Sequence, residues 1–211
     1  MPLNSLELLY LGGAAIFAAT GVLAAARQDM DLLSLVIIGI VTAVGGGTLR
    51  DLMLDVQVFW IGDPLTVSVA AAAAVLTFFL ELRARVAERV LLYLDGIATA
   101  MFAILAAEKT LLLGHDPAIA LVMGVITAIG GGLLRDVITG HPTVLMRREI
   151  YITPVLAGAL LHLALRTGTR LPSDTVVVAS IVLAAALRVA ALRFGWAFPI
   201  WLTYRGGPDG R

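Results

Sequence analysis

Arginine and aspartate stand side by side twice inside long apolar stretches, as Arg50-Asp51 and Arg135-Asp136. Each pair follows three consecutive glycines, Gly45, Gly46 and Gly47 in the first case and Gly130, Gly131 and Gly132 in the second. Glycine weakens a helix by about 1 kcal/mol per residue, and charge inside a bilayer is expensive. A chain that makes both choices twice has a use for them. A glycine break or kink would release backbone carbonyls able to face a cation and N–H groups able to face an anion; close packing of helices through the small residues is the plainer alternative. A guanidinium beside a carboxylate could hold or gate the path between them.

The motifs belong to a longer repeat. Residues 39–53 (GIVTAVGGGTLRDLM) return 85 positions later as residues 124–138 (GVITAIGGGLLRDVI), with nine of fifteen positions identical. Phe17-Ala18 and Phe102-Ala103 match at the same offset.

The elements that carry these residues are hydrophobic. Of 211 residues, 60% are hydrophobic and 14% charged, and the mean hydropathy is +0.96. Soluble domains carry more charge than this. Seven apolar spans are predicted, near residues 3–26, 32–54, 64–82, 90–107, 118–138, 150–165 and 175–192. Each approaches the ~20 residues needed to cross hydrocarbon. The expected class is an all-α polytopic membrane protein of seven transmembrane helices in a single transmembrane domain. The first segment lacks a basic flank, unlike a signal peptide, because no Lys or Arg precedes Arg27. Aromatic residues after the last span (Phe194, Trp196, Phe198, Trp201, Tyr204) read as an interfacial belt.

The basic residues orient the spans. Arg27, Arg83, Arg85, Arg89, Arg147, Arg148, Arg188, Arg193, Arg205 and Arg211 fall on one side, against Lys109, Arg166 and Arg170 on the other. The positive-inside rule places the N-terminus outside and the C-terminus in the cytoplasm. The motif copies sit on spans two and five. Three crossings separate them, so the second copy is inverted. The expectation is a 3+3 inverted repeat, residues 1–82 and 83–167, followed by a seventh helix and tail over 168–211. Glycine-interrupted helices at matching positions of such a repeat point to a site near the midplane.

Depth separates the parts of the motif. Arg50 lies seven residues past the centre of its span at Ala43, roughly 10 Å from the midplane. Arg135 is displaced similarly in the opposite direction. Arg135 has a partner candidate in its own layer, Asp95 on span four. The aligned position in span one is Tyr10, which leaves Arg50 to reach for Glu108, Asp55 or Asp63. Snorkelling of both arginines to the interface is the plainer alternative. Glu108-Lys109 reads as a solvated helix end, with a lipid or gating contact at Lys109 as a minor reading. His162 reads as a packed, hydrogen-bonded side chain.

Several classes drop out. The chain has no cysteine, and its three histidines lack metal-ligand spacing. Zero net charge gives no sign of a nucleic-acid partner. No catalytic constellation stands out, so no enzyme, metal site or cofactor is expected.

The duplicated GGGxxRD at residues 45–51 and 130–136, in a seven-span chain of this length, closely resembles the prokaryotic TRIC (trimeric intracellular cation) channel family, also labelled UPF0126. The resemblance covers nearly the whole chain. It implies a homotrimer in a prokaryotic inner membrane, with a potassium-favouring pore inside each protomer and second and fifth helices kinked at the glycines. Carried onto this sequence, the hinges are Gly45–Gly47 and Gly130–Gly132. The pore-associated charges are Arg50, Asp51, Arg135 and Asp136. Arginines neutralised by carboxylates would leave a weakly selective cation path. The competing readings are a secondary transporter for a small solute such as glycine, and a scaffold without conduction.

Overall fold

A computed structural model of the chain describes residues 5–26, 28–84, 88–143, 146 and 150–197. Arg27, Arg85, Arg147, Arg148, Arg205 and Arg211 of the charge bias lie outside the described residues. So do Phe198, Trp201 and Tyr204 of the aromatic belt, and the side chain of Arg83.

The described chain is helical: α1 (Ser5–Ala25), α2 (Leu32–Met53), α3 (Phe59–Gly62), α4 (Leu65–Ala84), α5 (Glu88–Leu112), α6 (Pro117–Ile138), α7 (Ile152–Gly168) and α8 (Ser173–Phe194). Five of them, α1, α2, α5, α6 and α8, are long and apolar enough to cross a membrane. Two shorter apolar helices lie at Leu65–Glu81 within α4 and at α7. The four-residue α3 falls in the connection between the second and third predicted spans.

Local signals set the helix starts. Asp31 caps α2 by accepting from the Ser34 N–H at 2.9 Å. That bond and a second from the Ser34 hydroxyl hold its carboxyl below the usual carboxylate range. Asp116 caps α6 by accepting from the Ala118 N–H at 2.8 Å, with Pro117 at the first helical position, where its missing N–H costs nothing. Helix α5 extends well past the expected span at residues 90–107. Its buried face continues past that end, with Glu108 2% and Thr110 0% exposed. Glu108 and Lys109 are therefore carried within the helix rather than at a frayed end.

The bundle packs through small residues, as helices without a hydrophobic driving force between them must. Helix α1 lies against α2, α4 and α5, and α5 lies against α6, α7 and α8. At the centre α2 crosses α6. A Cβ added to Gly46 would fall within 3.0 Å of the Thr127 carbonyl oxygen, and one added to Gly131 within 3.0 Å of the Thr42 carbonyl oxygen. The two contacts are mates at the 85-residue offset. Gly39 against the Ala18 carbonyl and Gly124 against the Ala103 carbonyl form a second mated set. Phe17 and Phe102, also mates, stack on each other with centroids 5.2 Å apart and planes 8° from parallel.

At the glycines the structure takes the close-packing alternative and not the break. Both α2 and α6 are α-helical at every residue from 32 to 53 and from 117 to 138, so neither is interrupted at its three glycines. The reason is the medium. A backbone group released from the ladder inside hydrocarbon needs another partner, whereas a glycine that keeps its helical bonds still admits a neighbouring backbone. Thr42 and Thr127 close their own polar accounts in the same way, each hydroxyl donating to the carbonyl four residues back at 2.7 Å.

Overpacking at this crossing should be costly. Gly46→Ala or Gly131→Ala is expected to lower stability in detergent by about 1–3 kcal/mol. Gly168→Ala, where an added Cβ meets nothing within 4 Å, should stay within about 0.5 kcal/mol. Denaturant unfolding followed by circular dichroism checks both; equal losses at all three positions would contradict the close crossing.

Candidate functional site

Two ion-pair clusters occupy the ends of α2 and α6. In the first, Arg50 Nε donates to Asp51 Oδ1 at 2.8 Å, and its Nη2 stands 2.8 Å from the same oxygen. Lys109 Nζ, from α5, reaches that oxygen at 2.8 Å as well. The other carboxylate oxygen, Oδ2, accepts from the Phe59 N–H at 3.0 Å, which ties α3 back onto α2. Arg50 Nη1 donates to the Tyr10 hydroxyl at 3.3 Å, and that hydroxyl donates to the Leu105 carbonyl at 3.0 Å. Both cations stand near the Phe59 ring, at 5.9 and 6.0 Å from its centroid.

In the second cluster, Arg135 repeats the local pairing. Its Nε donates to Asp136 Oδ1 at 2.8 Å, and Nη1 donates to Asp95 Oδ1 at 2.7 Å and to the Thr20 hydroxyl at 3.2 Å. Asp95 Oδ2 accepts from the Tyr151 hydroxyl at 3.0 Å, which lies 2.9 Å from Thr99 Oγ1. Arg188 of α8 sits 4.7 Å from the Tyr151 ring centroid and donates to the Ile150 carbonyl at 2.8 Å. This pins the last helix to the Asp95 network.

The four motif charges are buried: Arg50 is 1% exposed, Asp51 0%, Arg135 4% and Asp136 3%. That disposes of snorkelling, since a snorkelling side chain keeps its head in the polar layer. Breaking such a pair from one side strands a buried charge, at about 3–5 kcal/mol.

Three expectations change at these residues. Arg50 does have a partner at the aligned position: Tyr10 supplies a hydroxyl where Asp95 supplies a carboxylate. Glu108 is not the partner of Arg50 and is not a solvated end. It is 2% exposed and accepts from Arg166 Nε of α7 at 2.9 Å. Arg188, read as a cytoplasmic topology charge, is 4% exposed. It fits because Gly96 leaves room for it: an added Cβ there would lie 2.5 Å from Arg188 Cγ. The expected pairing of Arg135 with Asp95 is present.

A cavity of about 330 Å³ opens beside the first cluster, lined in part by Tyr10, Arg50, Phe59, Glu108 and Lys109. Among the described residues no group of three or more His, Asp or Glu is placed to hold a metal ion.

Comparison with known proteins gives this geometry a family. The family described as Glycine transporter matches twice, over residues 7–81 and 92–167. The UPF0126 inner membrane protein YadS of Escherichia coli (strain K12) is 36% identical over 197 residues, covering 92% of this chain and 95% of YadS. A solved TRIC trimeric intracellular cation channel orthologue from Rhodobacter sphaeroides is 41% identical, with a TM-score of 0.87 over 92% of this chain and all of that one. The chain belongs to the UPF0126/TRIC family. It is accordingly a multi-pass membrane protein. A second solved structure, described as showing the structural basis for conductance through TRIC cation channels, is 26% identical with a TM-score of 0.81.

For this TRIC-family chain the two clusters should differ in sensitivity. Asp95→Asn removes one of two carboxylates facing a buried guanidinium and should cost about 3–5 kcal/mol. Tyr10→Phe removes one neutral acceptor and should cost about 0.5–1.5 kcal/mol. Unfolding midpoints in detergent compare them; an equal or larger loss for Tyr10→Phe would contradict the assignment.

Proposed function

We propose that the chain is a monovalent cation channel, potassium-favouring and weakly selective, with one conduction path inside each protomer of a homotrimer. The observation that carries this reading is the pair of buried Arg-Asp clusters at mated ends of α2 and α6, joined through the glycine crossing. The 41% identity to the Rhodobacter sphaeroides channel over the whole of that structure supports it.

In this reading α1, α2 and α4 form one repeat and α5, α6 and α7 its inverted mate, with α8 outside the repeat. All seven cross the membrane, the N-terminus outside and the C-terminus in the cytoplasm. The mated contacts of Gly46 with Thr127 and Gly131 with Thr42, and the stacking of Phe17 on Phe102, support this two-fold relation, with its axis at the crossing. The 330 Å³ cavity is the outer entrance. Arg50 and Lys109 share Asp51 there, and Glu108 is matched by Arg166. Glu7 and Asp63 add acidic groups to the same lining, so the wall carries both signs and discriminates weakly among cations. Helices α2 and α6 close the centre, and conduction requires them to part at Gly46 and Gly131. Lys109, held to Asp51 at 2.8 Å, is the movable cation at the entrance.

The glycine-transporter description of the matching family sets the contrast. Purified chain in planar bilayers is expected to give unitary potassium currents. Saturable, ion-coupled glycine uptake without unitary currents would contradict the channel. Lys109→Gln should change open probability or unitary current; wild-type values of both would remove Lys109 from the entrance.

A further inference from the structure

Outside the two motif clusters, one buried titratable group has no role in the pathway just described. His162 on α7 is 0% exposed, and its Nε2 lies 3.0 Å from Glu108 Oε2. The contact is close, yet neither imidazole nitrogen has a well-directed hydrogen bond, and Glu108 Oε1 also lacks a hydrogen-bond partner. A neutral imidazole gains little from such an arrangement, because hydrogen bonds depend on direction. An imidazolium gains more, because Coulomb attraction to a carboxylate depends mainly on distance. We propose that His162 and Glu108 form a proton-binding site in the wall of the outer cavity, and that its occupancy lowers cation flux.

The charged surroundings are few. On α7 itself Arg166 shares Glu108 Oε2. On α5, Lys109 is turned to Asp51. On α6, Asp116 caps the helix, and Arg135 and Asp136 sit at its opposite end. On α8, Asp174 is engaged by the Ser5 hydroxyl, and Arg188 lies far along the helix at Tyr151. Glu108 and Arg166 are thus the charges that face His162.

With the imidazole neutral, Glu108 and Arg166 cancel. Proton uptake adds one positive charge behind a wall whose charged side chains are Glu7, Asp63 and Glu108 with Arg50 and Lys109. A cation entering the cavity is then held less favourably than before, with less screening than in water. Uptake also strengthens the link between α5 and α7.

This inference about flux rests on the channel reading; the proton site itself does not. The test therefore has two arms, using the full chain in lipid nanodiscs and in liposomes. In the first, the nitrogen resonances of the imidazole rings are followed from about pH 8 to about pH 5, the range in which histidine changes charge. His162→Gln assigns the signal, and His115 and His141 serve as references. A shift to the imidazolium pattern at His162 is expected, and a ring that stays neutral throughout overturns the site. In the second, potassium flux should fall several-fold over the same range in the wild type and much less in His162→Gln. An unchanged pH profile in His162→Gln overturns the link to flux. Glu108→Gln, which keeps the shape of the side chain, should flatten the profile too if His162→Gln fails to fold. Absence of flux at every pH would count against the channel, while the ring resonances would still decide the proton site.

Discussion

Where α2 crosses α6, Gly46 faces the Thr127 carbonyl and Gly131 faces the Thr42 carbonyl, with no room for a methyl group on either side. Direct contact between backbones is the tightest constraint in the bundle. It fixes the axial register of the two helices, and with it the ends at which Arg50 and Arg135 emerge. Because the helices run antiparallel through a common centre, the same sequence delivers one Arg-Asp pair to each end. The Phe17–Phe102 stack and the approaches of Gly39 and Gly124 to α1 and α5 then follow as consequences of one geometry used twice.

The repeat is exact at the crossing and deliberately broken around the charges. Position 10 is a tyrosine and position 95, its mate, an aspartate. Lys109 enters the first cluster, while its mate position is Ala24. One end therefore holds two cations on Asp51, and the other holds one guanidinium between two carboxylates. Similar backbones at the two ends thus carry different electrostatics. Helix α8 adds to the asymmetry, because Arg188 braces Tyr151, and Tyr151 braces Asp95.

Much of this was legible in the residues. The apolar blocks marked the helices, the repeat marked the mated pair, and layer arithmetic picked Asp95 for Arg135, since both lay at one depth on neighbouring spans. The glycines left a break and a close packing both open; a break inside hydrocarbon needs new partners for the freed backbone groups, so their lack of a side chain matters more than their flexibility. Tyr10 carries no charge, so charge pairing does not mark it, although its hydroxyl satisfies a guanidinium nitrogen. Glu108 stands where the apolar run weakens, which is the pattern of a solvated helix end. Its burial depends on Arg166 and His162, more than fifty positions away, and no local pattern announces that. Arg188 counted as a topology charge because Gly96, which makes room for it, lies on another helix.

The central claim is that conduction requires α2 and α6 to separate at the glycine crossing. A Cβ placed on Gly45 would lie 3.8 Å from Leu134 Cγ, so Gly45→Cys with Leu134→Cys sets two thiols across that contact. The chain has no cysteine of its own, so any disulfide within one chain is this one, and non-reducing gels separate it from links between chains. Potassium flux through the purified double variant is the direct measurement. The account predicts that the oxidised protein is silent and that reduction restores flux. Equal flux before and after reduction of a fully formed cross-link would contradict it.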